Sequence, residues 1–181
     1  LDKYKRTATF FVVAEIHRWY PGLIDSIKKR GHEIGYHSDT HEILKQPGDL
    51  KDNLKRSQAF LNKYKPKGYR APMIILFRED YSDLKKAGFT YSSSTYFGHG
   101  AYNMDGITEL PVSTVSWLGK KDTIEKMPQC LTLLSLFKRI PVGSGLFLAI
   151  FRGLSSLFIR RFNKKGKPAV IFFHPWQLFR R

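Results

Sequence analysis

Gly31–His41, GHEIGYHSDTH, is the stretch on which the reading of this chain turns. A β-prone run from Glu33 to Tyr36 is followed at once by two histidines, His37 and His41, four positions apart. That spacing lets two neutral imidazoles reach one metal ion, from a helical turn or from a tight loop after a strand. Taken alone, the pair also fits a bland reading as two histidines on a solvated turn, so the neighbouring segments have to decide.

Upstream, Thr7–Ala14 (TATFFVVA) is a continuous apolar, β-branched and aromatic run of the kind buried on both faces of a parallel sheet. Leu1 to Arg6 reads as the last turn of a helix. From Tyr20 the period changes: Leu23, Ile24 and Ile27 line one helical face, Pro21 suits a first turn and Gly31 a C-terminal cap. Downstream, Asp49 predicts the N-cap of a helix to about Tyr64, with Leu50, Leu54 and Leu61 inward. Gly68–Pro72 (GYRAP) is a third short strand, Glu79–Ala87 a helix stopped by Gly88, and Phe89–Ser94 a further strand. Thr95–Gly106 reads as a loop and Ile107–Ser113 (ITELPVS) as a strand. After a linker around Pro128, an apolar helix spans about Gly145–Phe162, and Ala169–Phe173 (AVIFF) is a final buried strand that delivers His174. Strands alternating with helices, with reactive residues at strand ends, predict an α/β architecture with a parallel sheet or barrel.

The 181 residues suffice for one domain with a real core, read as 1–181. Lys+Arg of 31 against Asp+Glu of 15 gives a formal charge of +16, which favours acidic glycans, lipid headgroups or nucleic acid as partners, or serves general solubility. Specific nucleic-acid recognition is not expected, because no helix-turn-helix, zinc finger or aromatic sheet signature is present. Cys130 is the only cysteine, so an internal disulfide is excluded and the compartment stays undetermined. The apolar stretch Val142–Ile159 is interrupted by Arg152, serines and glycines, which argues against a spanning helix. A helix packed on the fold is the default, and an interfacial helix giving peripheral membrane association is the alternative.

Four pieces in order, TATFFVV, GHEIGYHSDTH, GYRAP and IFFHPW, resemble the polysaccharide deacetylases, the NodB-homology group also known as the family 4 carbohydrate esterases. They span nearly the whole chain. ITELPVSTVSWLG, IPVGSG and KGKPAVIFFHPWQL are similar to the C-terminal half of the branch associated with exopolysaccharide and exosortase loci. The resemblance implies a distorted, partly open (β/α) barrel that hydrolyses N-acetyl groups of a glycan with a divalent metal, zinc first, cobalt or nickel otherwise. An amide carbonyl is a poor electrophile, and a metal with open positions both polarises it and lowers the pKa of bound water.

By the same resemblance His37 and His41 would be metal ligands, neutral and therefore losing affinity as pH falls through about 6.5. Arg70 would hold the catalytic base carboxylate, and His174 would be the general acid for the leaving amine. The backbone N–H of Met73 would be an oxyanion donor, and Trp176 and Leu110 would either line a pocket for the acetyl methyl or serve as ordinary packing residues. Ser38 would support its loop by hydrogen bonding, Asp39 would be a solvated loop carboxylate, and Glu109 a candidate to orient His174. The family opens with a strand ending in a Thr-Phe-Asp-Asp type motif that supplies the base and the third metal ligand. This chain begins beyond it, so the first strand and both aspartates are expected to be missing, without a substitute in Asp2, Glu15 or Asp25. Alone, such a piece would be nearly inactive and would expose an unpaired sheet edge. The alternative is a non-catalytic glycan- or partner-binding member of the same fold.

Overall fold

In a computed structural model, which describes residues 1–116 and 138–177, the apolar run after Ala8 forms β1, Thr9–Val12. It pairs in parallel with β2, Glu33–Tyr36. The crossover between them is two helices, α1 (Glu15–Trp19) and α2 (Pro21–Lys29), the first of which the sequence did not signal. Pro21 opens α2 and Gly31, at φ 82°, turns the chain back to the sheet. Ile24 is the buried residue of α2, whereas Leu23, predicted inward, is 57% exposed. One residue is about 100° around a helix, enough to leave the apolar face.

The helix predicted from Asp49 to Tyr64 is broken in two, α3 (Asp49–Arg56) and α4 (Gln58–Tyr64). At the break, Ser57 Oγ lies 2.8 Å from the Tyr36 hydroxyl. Gly48, at φ 95°, is the N-cap, and the Asp49 carboxylate instead accepts from the amides of Lys45 (2.9 Å) and Gln46 (3.2 Å). β3 (Gly68–Tyr69), α5 (Asp80–Lys86), β4 (Tyr91–Ser92), β5 (Tyr102–Met104) and β6 (Ile107–Glu109) follow. β5 falls within the predicted loop. It forms an antiparallel hairpin with β6 around Asp105 (φ 53°) and Gly106 (φ 90°), the left-handed pair that a tight two-residue hairpin turn requires.

The main sheet runs β1-β2-β3-β4-β6-β5 and is parallel except for β5. Among the described residues this sheet is open, with β1 and β5 at its edges, and its closure into a barrel is not seen. β1 was expected to be buried on both faces, but as an edge strand it is half-buried throughout. Tyr36, Tyr69, Phe60 and Phe89 fill the centre of the core, their rings 5.8–6.1 Å apart where they meet.

β7 (Val115–Ser116) pairs antiparallel with β8 (Arg139–Ile140), and the linker expected around Pro128 lies outside the described residues. The single C-terminal helix predicted is again two, α6 (Gly145–Ile150) and α7 (Arg152–Lys164), parted at Phe151. The final buried strand is a correction. Residues 170–172 are tied to the fold by Ser113 N–H donating to Val170 O (3.0 Å) and Phe172 N–H to Gly143 O (3.0 Å), with one parallel bridge to Ser144. Ile171 and Phe173 are exposed, because this segment lies on a loop rather than inside the sheet.

Candidate active site

Parallel pairing sets the strand ends level: Val12 opposite Tyr36, Tyr36 opposite Tyr69, Tyr69 opposite Ser92 and Ser92 opposite Glu109. The residues next along β2, β3 and β4 therefore stand in a row at the carboxyl edge: His37, Arg70 and Ser93. Backbone bonds hold the row, His37 N–H to Val12 O at 2.9 Å, Arg70 N–H to Tyr36 O at 3.0 Å and Ser93 N–H to Tyr69 O at 2.9 Å. Three separate sequence motifs thus meet through strand register alone.

His37 Nδ1 is 2.6 Å from the carbonyl oxygen of Arg70, which can only accept, so Nδ1 carries the proton and the Nε2 lone pair is left to bind. Burial pulls the His37 pKa from 6.5 down to about 4; the bond to Arg70 opposes this, and positive charge on His41, Arg70 and His174 adds to it. The ring is neutral at physiological pH, as a metal ligand must be. The His41 ring stands 5.0 Å away, centroid to centroid, at 71°.

Arg70 is a half-buried cation. Its Nε donates to Ser93 O (3.0 Å) and one terminal nitrogen to Ser93 Oγ (2.6 Å). The guanidinium lies 4.5 Å from the Phe11 ring centre and 5.4 Å from that of Phe172, in the range of cation–π attraction. Burial lowers its pKa to about 10, with Glu109 acting in the other direction. Among the described residues no carboxylate makes an ion pair with it. Phe172 connects the row to His174, whose ring is 5.5 Å from Phe172 and stacks on Trp176 at 5.7 Å. The four residues singled out from sequence, His37, His41, Arg70 and His174, are neighbours.

Other sequence expectations need correcting. Asp39 is not solvated: it is buried and paired with Arg18 (3.2 Å) and Arg56 (3.3 Å), pinning the loop after β2 to α1 and α3. Its carboxylate is committed there and not to the imidazoles. Ser38 Oγ is buried without a hydrogen-bond partner among the described residues; the loop is supported instead by Ser38 O accepting from Ala14 N–H at 3.0 Å. Trp176 is 69% exposed and stacks on the His174 ring at 5.7 Å. Leu110 is half-buried, and its carbonyl accepts from Ser93 Oγ at 2.6 Å. Met73 sits with Ile74 in left-handed backbone, φ 53° and 59°, as do Ser38 and His41 at 68° and 62°. Non-glycine residues pay for that conformation in strain, which here gathers on the loops after β2 and β3.

Glu109 does not reach His174. It is fully buried and accepts from Tyr81 Oη (2.8 Å), Ser94 N–H (2.8 Å) and Thr95 Oγ1 (3.1 Å). Ser94 Oγ in turn accepts from Ala71 N–H at 2.9 Å, so Glu109 orders the β4 end on which Arg70 rests. Sequence reasoning passed over Ser93, Ser94 and Thr95; the available signal was a run of hydroxyl residues, 92–95, directly after a strand. His17, His32 and His99, set aside from sequence, pack against Tyr64, Phe10 and Phe162 respectively.

Two neighbouring imidazoles, that of His37 in a defined tautomer, fit a divalent metal as part of its ligand set. Among the described residues no group of three or more His, Cys, Asp or Glu side chains is close enough to complete one.

Residues 1–92, just over half of the chain, match the family model described as polysaccharide deacetylase. The peptidoglycan-N-acetylmuramic acid deacetylase PdaC of Bacillus subtilis (strain 168) is 35% identical over 81 residues, 40% of this chain and 16% of that protein. A crystal structure assigned to the polysaccharide deacetylases, from Mycobacterium smegmatis, is similar at a TM-score of 0.57 and 25% identity, over 87% of this chain and 57% of the other. Another so assigned, from Pseudomonas aeruginosa PAO1, shares the fold at a TM-score of 0.55 and 18% identity, over 95% of this chain and 56% of the other. The chain therefore spans a small part of the curated relative and rather more than half of each structure.

Proposed function

This chain belongs to the polysaccharide deacetylase family, and from that premise we propose that His37, His41, Arg70 and His174 form part of a metal-dependent site that hydrolyses N-acetyl groups of a glycan. The observation that carries the reading is the bond from His37 Nδ1 to Arg70 O, which leaves Nε2 of a half-buried, neutral imidazole free to bind a metal. A bound divalent metal, zinc in the first instance, would polarise the amide carbonyl and lower the pKa of a bound water. His37 and His41 would hold it. Arg70, fixed by Ser93 and two aromatic rings, offers a half-buried positive charge suited to an anionic oxygen, most naturally the carboxylate of a base. His174, on the exposed segment beside Phe172, would give a proton to the departing amine nitrogen. We place the substrate within exopolysaccharide synthesis on the strength of the C-terminal motifs ITELPVS, IPVGSG and IFFHPW.

Among the described residues no third His, Cys, Asp or Glu joins His37 and His41 in a ligand set and no carboxylate forms an ion pair with Arg70, so the 181 residues by themselves are expected to release acetate slowly. The test is acetate release from N-acetylglucosamine oligomers with Zn²⁺, Co²⁺ or Ni²⁺, using an extended chain to which a family-type Asp-Asp strand end has been supplied. His37→Ala should abolish release, and His174→Ala should lower kcat by about 10²–10⁴. Undiminished release from either variant would sink the assignment. The missing carboxylate also favours a second reading, a glycan-binding member of the fold without catalysis. Oligomer binding by the extended chain, without acetate release under any of the three metals, would select it.

A further inference from the structure

The C-terminal helices carry a surface that hydrolysis does not use. Beyond Glu125 the sequence contains no aspartate or glutamate. α7 and the turn after it nevertheless expose Arg152, Arg160, Arg161, Lys164, Lys165 and Lys167. Among the described residues none of these cations takes part in an ion pair. On α6 and α7 and at Phe151 between them, Leu146, Ile150, Phe151, Leu154 and Leu157 are each at least 40% exposed. Leu146 and Ile150 are four residues apart and Leu154 and Leu157 three, so each pair shares a face of its helix.

A groove of about 550 Å³ between α6, α7 and residues 173–177 is lined by Leu148, Ile159 and Phe173 together with Arg152 and Arg160. Phe173 and Trp176 are exposed beside it, at 46% and 69%, and Trp176 stacks on His174.

Three kinds of occupant can be compared on charge and apolarity. A second copy presenting this face would set unbalanced cations against cations. A soluble polyanion would satisfy the cations and leave the leucines in water. An anionic bilayer satisfies both: its headgroups attract Lys and Arg, its interfacial layer accepts Leu, Phe and Trp, and long basic side chains reach back to the phosphates. No helix among the described residues is long and apolar enough to cross a membrane, so contact would be with the surface.

We propose that α6, α7 and residues 173–177 dock on an anionic phospholipid bilayer, holding the His174 side of the site at headgroup level. A substrate presented there would be a glycan carried on or near a membrane.

The experiment is flotation of the whole chain with phosphatidylcholine vesicles with and without phosphatidylglycerol. The chain should float only with the anionic vesicles, and less as salt is raised. Arg160→Glu with Arg161→Glu should weaken binding at least about tenfold, since each cation near such a surface contributes roughly fivefold. Leu154→Glu with Leu157→Glu should do so too. Lys28→Glu with Lys29→Glu, the same charge change on exposed residues of α2, should leave binding within about twofold. Equal loss from the α2 pair would mean indiscriminate charge attraction and overturn the proposal. So would absence of flotation, including the case where the chain instead self-associates on sedimentation. Quenching of Trp176 by brominated lipid, in a chain with Trp19→Phe and Trp117→Phe, checks the orientation without altering the patch, and no quenching refutes it. None of these readouts depends on acetate release, so docking and hydrolysis stand or fall separately.

Discussion

Replacing Glu109 should separate a buried carboxylate's structural work from its electrostatic cost. In Glu109→Ala the Ser94 amide loses its acceptor (2.8 Å) and cannot turn away, while the hydroxyls of Tyr81 (2.8 Å) and Thr95 (3.1 Å) can reorient. An orphaned buried amide costs ~1–3 kcal/mol and each lost hydroxyl bond ~1 kcal/mol, so the variant should lose about 3–5 kcal/mol of stability. Glu109→Gln keeps one carbonyl oxygen for Ser94 and Thr95 and asks only that the Tyr81 hydroxyl turn, so it should lose no more than ~1–2 kcal/mol. The two also differ in pH dependence. Burial raises the Glu109 pKa above its ordinary 4.5, so the folded chain keeps a proton that the unfolded chain has released. Wild-type stability therefore carries a component that is full below about pH 4.5 and is lost as pH rises towards the raised value; Gln has no proton to lose and lacks it. Urea unfolding followed by circular dichroism across that range measures both effects. Equal damage from Ala and Gln, or an Ala loss below ~1 kcal/mol, would refute the hydrogen-bond account.

Gly143→Ala should detach the segment leading to His174, because its Cβ would lie 2.2 Å from Val170 O and 2.9 Å from Ser113 N, both backbone atoms. A loss of about 1–3 kcal/mol and faster proteolysis near residue 170 are expected, and unchanged proteolysis would count against it. Arg70→Met should leave stability within ~1 kcal/mol, since a half-buried cation without a carboxylate partner is replaced by a fitting apolar chain; acetate release by a chain supplied with an Asp-Asp strand end should vanish. Asp39→Asn should cost about 1 kcal/mol by weakening pairs to the half-exposed Arg18 and Arg56. Metal uptake, followed by equilibrium dialysis, should stay within about threefold; a larger fall would make Asp39 a ligand.

Local pattern made β1 and β2 legible, because an apolar β-branched run and a short alternating run bounded by glycine have few other uses. Asp105-Gly106 was an equally local signal for the β5–β6 hairpin, obscured by the polar residues before it. The ion pairs of Asp39 were illegible, since they depend on Arg18 and Arg56 approaching from two helices. So was the exposure of Ile171 and Phe173: AVIFF reads as a core strand, but the available hydrogen-bonding partners were Ser113 and Gly143 on loops.

That His37, Arg70 and His174 stand at the ends of apolar or β-prone runs was legible in one dimension, but it was the resemblance of the motifs around them, and not residue type and spacing, that marked these residues and His41 as candidates for chemistry. What they do to one another was decided in three. Strand register brings the backbone carbonyl that follows β3 onto His37 and so selects its tautomer, while burial, first among the causes, lowers the pKa of both His37 and Arg70. Proton position and charge depend on distances between segments far apart in the chain, and those distances exist only once the sheet has formed.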